Sequence, residues 1–200
     1  MSILYYASFA FFAAVPLNLI IELGFGLDNA TDKEEAPFKA QLLQYGCLFV
    51  EIGVLWCFFT YLLSPLGLGF FKYFLLFPAS ACLSIGVNSL LKIALPEYYQ
   101  KNCLNLLINR FNSAFDGIII AAIFFTLRFA TNILEALCLT FGFCFGLFFA
   151  FYILRAIRRK SLVELVPTPI QGIPLLLISG GLLSMIFSSI SDLIFRIMGM

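Results

Sequence analysis

LRAIRRKSLVELVPTPIQGIPLLLISGGLLSM, residues 154–185, decides the fold of this chain. A basic cluster (Arg155, Arg158, Arg159, Lys160) closes one long apolar run, Pro167 and Pro169 break the helix, and a second apolar run opens at Gly172. Proline removes a backbone donor and clashes with the preceding turn, so a helix cannot pass through such a pair. Arginine and lysine are retained on the cytoplasmic face of a membrane. The stretch therefore predicts two membrane-spanning helices that meet at a cytoplasmic loop.

Composition extends that reading to the whole chain. Of 200 residues 62% are hydrophobic and only 12% charged, too few polar side chains to cover a globular surface in water. Lipid is the expected solvent. Twelve basic residues against eleven acidic leave no field to attract nucleic acid, and that partner class is set aside. The opening MSILYYASFAFFAA has no basic segment or small-residue cleavage site, so it predicts a retained first span, not a cleaved signal. Histidine is absent, which removes histidine-ligated haem, most zinc sites and Ser-His or Cys-His catalysis. The six cysteines (Cys47, Cys57, Cys82, Cys103, Cys138, Cys144) have no C-x-x-C spacing and read as small packing hydrophobes.

A span needs about 20 mostly apolar residues. Cutting at charges, prolines and polar clusters leaves six such runs, near 2–25, 39–63, 69–94, 103–127, 132–154 and 171–196. The first contains Pro16, Asn18 and Glu22, so it is kinked or broken midway. The fourth carries Arg110, Asn112, Ser113, Asp116 and Gly117, and an interruption at the Asp116–Gly117 step would accommodate them. The fifth holds Gly142 and Gly146 four apart, the spacing of a close helix contact.

The loops after the first, third and fifth runs hold eight lysines and arginines (Lys33, Lys39, Lys92, Lys101, Arg155, Arg158, Arg159, Lys160). The opposite side holds three, Lys72, Arg128 and Arg196. That asymmetry puts the odd-numbered loops in the cytoplasm and both termini outside. Three runs precede LPEYY and three follow, and the first run of each set is the interrupted one. The expectation is an all-α integral membrane protein: a single transmembrane domain over 1–200, with six helices in two inverted three-helix repeats, about 1–95 and 96–200. Polar groups on the two broken spans, Glu22, Asn112 and Asp116, are then the candidates for an ion path. Glu22 lies nearer the membrane surface, where a solvated or interfacial role competes. Asp116 could equally cap an interrupted helix. Glu51 lies deeper in its run, whereas Glu135 and Asp192 sit near span ends.

The run AIRRKSLVELVPTPIQGIPLLLISGGLLSM, residues 156–185, resembles the RnfA/NqrE family, whose sister subunits are RnfE and NqrD. It resembles the family's A-I-R-E-[RK] end of span five, V-P-x-P-x-x-G loop and L-I-[ST]-x-G-L-M-S start of span six. PLNLIIELGFG (16–26) resembles the family's first span, which ends L-G-x-C, and PEYYQ and FNSAFDG (111–117) resemble its P-x-L-Y and N-C-A-x-x-G. The resemblance implies a membrane subunit of an Rnf or Na⁺-translocating NADH:quinone oxidoreductase complex in the bacterial inner membrane. It also implies a sister subunit of opposite topology and an iron–sulfur centre shared between the two. The family's cysteine ligands fall here on Gly26 and Ser113, which supply no thiolate, so this chain is expected to bind no cofactor alone. Two other readings stay open: a small inverted-repeat carrier or channel, and a purely structural membrane subunit.

Overall fold

A computed structural model describes residues 3–24, 38–67, 71–94, 117–163 and 173–198. They form helices α1 (Ile3–Ala14), α2 (Phe38–Cys57), α3 (Lys72–Ala94), α4 (Gly117–Phe129), α5 (Ile133–Val163) and α6 (Ile173–Met198), with no strand among the described residues. Helix α2 runs on into a π-helical segment, Phe58–Leu63, where Ser64 N–H reaches back five residues to Phe59 O at 3.2 Å. Among the described residues three stretches are long and apolar enough to cross a membrane: Tyr45–Leu63, Ile133–Lys160 and Pro174–Leu193. At 1.5 Å per residue the 31 residues of α5 extend to about 46 Å, past a hydrocarbon core about 30 Å thick. Its basic residues, Arg155, Arg158, Arg159 and Lys160, gather toward its C-terminal end.

The first apolar run does break. Helix α1 stops at Ala14, and residues 15–23 pass through turns. In the fourth run the described residues begin with α4 at Gly117, while Asn112, Ser113 and Asp116 lie outside them, as do Gly26, Pro167 and Pro169.

The chain divides into two compact units, Met1–Lys33 with Gly142–Met200, and Glu34–Phe141. The second unit packs α2 against α3 and α4, with Trp56, Ile52 and Leu55 of α2 and Ile118, Ala122 and Ile123 of α4 all buried. Helix α5 starts here on a cap made by the Glu135 carboxylate. Glu135 Oε2 accepts hydrogen bonds from Thr131 N–H (2.8 Å), Thr131 Oγ1 (2.8 Å) and Asn132 N–H (3.3 Å). Its Oε1 accepts from Asn132 Nδ2 at 3.3 Å, and Ala136 N–H closes the first helical bond on Asn132 O at 3.0 Å. Glu135 is thus buried near the span end as a capping group, satisfying donors that a helix start leaves orphaned. No disulfide joins the described cysteines.

In the first unit the small-residue face of α5 meets the small-residue face of α1. A Cβ added at Gly142 would collide with the Ala10 carbonyl and lie 2.8 Å from Ala13 Cβ. One added at Gly146 would stand 2.7 Å from Ala14 O and 3.0 Å from Ala14 Cα. In lipid, where water does not drive helices together, such backbone proximity is a principal source of packing attraction. Only 17% of Pro174–Leu193 in α6 is buried within the protein, against 56% of Ile133–Lys160 in α5. The outer side of α6 leaves Leu182, Met185, Ile186 and Leu193 exposed, an apolar surface.

This packing predicts that Gly146→Leu destabilises the detergent-solubilised protein by about 1–3 kcal/mol, as overpacking does. Gly180→Ala, whose added Cβ meets nothing within 4 Å, is expected to be neutral. Thermal unfolding monitored by size-exclusion chromatography measures the contrast.

Candidate functional site

The break in the first span is built by Pro16 and repaired by Asn18. In an unbroken helix the Phe12 carbonyl would accept from residue 16, but proline has no N–H. Leu17 N–H takes that acceptor instead, at 3.0 Å, and the chain leaves the helical path. Asn18 N–H turns to Val15 O at 3.3 Å, so the Ala14 carbonyl loses its own helical donor.

The Asn18 side chain replaces what the break removes. Its Nδ2 donates to Ala14 O and to Gly146 O on α5, both at 3.0 Å. Its Oδ1 accepts from Ile20 N–H at 3.2 Å and Ile21 N–H at 3.1 Å, capping the turn that follows. Two donors and two acceptor positions are the full capacity of an amide, and all four are used by a residue only 1% exposed. The bond to Gly146 requires that glycine: an added Cβ there would sit 3.1 Å from Asn18 Nδ2.

The turn so formed carries Glu22 toward α6. Glu22 N–H donates to Asn18 O at 3.0 Å, Gly24 N–H donates to Ile20 O at 3.0 Å, and Gly24 leaves the turn at φ +71°, a left-handed conformation that suits glycine. Glu22 is half-buried. Its Oε2 accepts from Ser184 Oγ on α6 at 3.0 Å, a contact between residues 162 positions apart. Its Oε1 is sealed from solvent and has no hydrogen-bond partner among the described residues. Neighbouring serines of α6 behave differently: Ser179, Ser189 and Ser191 each donate to a carbonyl of their own helix.

Of the sequence-level candidates, Glu22 is half-buried and makes a polar contact with Ser184 of α6. Asn112 and Asp116, and the positions Gly26 and Ser113, lie outside the described residues. Among the described residues no group of three or more His, Cys, Asp or Glu is arranged to hold a metal. Glu51, expected to lie deep in its run, is buried, and Asp192 is exposed.

Of two further members of the site, the sequence marks Asn18 only as part of the break in the first run and does not mark Ser184. Asn18 carried a usable signal, an amide two residues after a proline inside an apolar run. Ser184 carried none, because serine is common at small-residue helix contacts. No protein-family model matches the chain, and no curated protein sequence does either.

Asn18→Asp keeps the acceptor but removes both donors and adds a charge, whereas Glu22→Gln preserves the bond from Ser184. The aspartate variant is therefore expected to lose about 1–3 kcal/mol of stability, more than Glu22→Gln, in side-by-side thermal unfolding in detergent.

Proposed function

We propose that the chain is a membrane subunit of a redox-driven, ion-translocating electron-transport complex of the RnfA/NqrE kind. The observation that carries this reading is the run 156–185, in which the basic helix end, the V-P-x-P-x-x-G loop and the small-residue start of the last helix follow one another as in that family. Support comes from the first apolar run, which breaks at Pro16 and is rebuilt by the Asn18 amide. In inverted-repeat membrane proteins, interrupted helices mark the central site.

In this reading the six helices are six spans in two inverted three-helix repeats. The odd-numbered loops are cytoplasmic, both termini are outside, and the membrane is the bacterial inner membrane. A sister subunit of opposite topology packs beside the chain. Gly26 and Ser113 stand where the family has cysteines, and neither residue supplies a thiolate. The chain therefore serves as a non-catalytic subunit that leaves any iron–sulfur centre to its partners. A small carrier is the competing reading, favoured by one observation: Glu22 Oε1, an enclosed carboxylate oxygen without a partner among the described residues.

Affinity purification of the tagged chain from its native membrane separates the two. The expected result is co-elution with sister membrane subunits and with flavin- and iron-bearing subunits, the iron remaining with those partners when the chain is stripped away. Recovery as a homo-oligomer free of flavin and iron would favour the carrier.

A further inference from the structure

We infer that the outer face of α6 binds a phospholipid whose headgroup carries a phosphate and a primary amine, held by Arg196 and Asp192. The inference requires only that Pro174–Leu193 crosses a membrane, and stands apart from any assembly with redox partners.

An α-helix turns about 100° per residue, so residues three, four and seven apart share a face. On α6 that spacing aligns Leu182, Met185 and Ile186 with Ser189, Leu193 and Arg196, and Asp192 lies along the edge of the same stripe. Each of these residues is exposed. The buried residues of the helix, Leu176, Phe187 and Ser191, lie on the opposite side, together with Ser184, which donates to Glu22. The stripe is therefore a continuous outward surface, apolar at Leu182, Met185 and Ile186 and charged toward its C-terminal end.

Its dimensions fit one leaflet. The 20 residues of Pro174–Leu193 measure about 30 Å along the helix, the thickness of a hydrocarbon core. Asp192 thus stands at the edge of the core, and Arg196 about one turn beyond it, at headgroup level. From Leu182 to Leu193 the rise is about 17 Å, close to half the core. A lipid whose acyl chain runs along the apolar part places its headgroup against the charged part. A concave space of about 520 Å³ opens there, lined among the described residues by Ser189, Asp192, Leu193 and Arg196.

Charge selects the headgroup. Asp192 and Arg196 are four apart, the spacing of an intrahelical pair, yet neither forms an ion pair among the described residues. The planar fork of a guanidinium matches phosphate oxygens, and a carboxylate accepts from an ammonium. Ser189 Oγ donates its proton to Met185 O at 2.8 Å, which leaves its lone pairs to accept a further N–H. A net-anionic headgroup would serve Arg196 but leave Asp192 beside added negative charge. A choline headgroup has the positive charge but no N–H to donate. A primary amine, joined to phosphate by an ethylene link, supplies both. A protein helix fits less well, because helices in lipid approach through small residues, and Ser189 is the one small side chain on this stripe.

Native mass spectrometry of the full chain tests the site, after release from nanodiscs of equal parts dioleoyl phosphatidylethanolamine, phosphatidylcholine and phosphatidylglycerol. The amine lipid is expected to be retained about threefold more than either other, the scale of an exposed ion pair. Asp192→Asn is expected to bring the amine and choline lipids to equal retention, and Arg196→Gln to weaken both. Each of the two residues is exposed, so both variants are expected to elute as the parent does. Equal retention of all three lipids by the parent, or an unchanged preference in Asp192→Asn, would overturn the proposal. Retention led by the anionic lipid would also overturn it, leaving attraction to the arginine alone. So would recovery of a dimer free of lipid, which would assign the stripe to a second copy of the chain.

Discussion

The fully used amide of Asn18 is the interaction on which the first unit depends. A membrane interior offers no water to a backbone group released from a helix, so every such group must find a protein partner. Pro16 releases backbone groups and Asn18 serves Ala14 O below the break and Ile20 and Ile21 N–H above it, while its amide also reaches Gly146 O on α5. One side chain thus ends a helix, starts a turn and ties both to a neighbouring helix. The glycines of α5 are the complement of that tie, because only a bare backbone lets α1 come close enough for the amide to reach across.

The turn then has a consequence for charge. Had the first helix continued from Ala14, Glu22 would have followed the helical path; instead it follows a turn hung on Asn18 O and meets Ser184 on α6. A carboxylate in that position is held by covalent and hydrogen-bonded constraints formed for another purpose, the repair of a broken helix. Its exposed-helix counterpart, Asp192, lies open on α6. Glu135 shows the opposite use of an acid, with both oxygens engaged by Thr131 and Asn132 at the start of α5. Among these carboxylates Glu22 combines enclosure with an unserved oxygen.

Much of the helical layout was legible in the chain. The apolar runs near 39–63, 69–94, 132–154 and 171–196 correspond to α2 with its π-helical extension, α3, α5 and α6, because run length and helix length obey the same requirement for internal hydrogen bonding. The break at Pro16 was legible for a local reason, the missing N–H. The Gly142 and Gly146 spacing foretold a close contact but not its partner, since any helix with small residues would have served. Glu22 was visible as a charge in an apolar run, yet its enclosure was not. Ser184 was hidden among several similar serines on α6.

The sequence by itself determined that this is a chain of apolar helices, that its first run is kinked or broken near Pro16, and which helix face could admit a close neighbour. Those properties follow from residue type and spacing along the chain. Tertiary structure alone decided that α1 occupies that face, that the Asn18 amide is satisfied by a carbonyl 128 residues away, and that Glu22 meets Ser184 with one oxygen while the other stays enclosed. Such pairings depend on distances between elements remote in sequence, and hydrogen-bond capacity written in a side chain names no partner until packing brings one within about 3 Å.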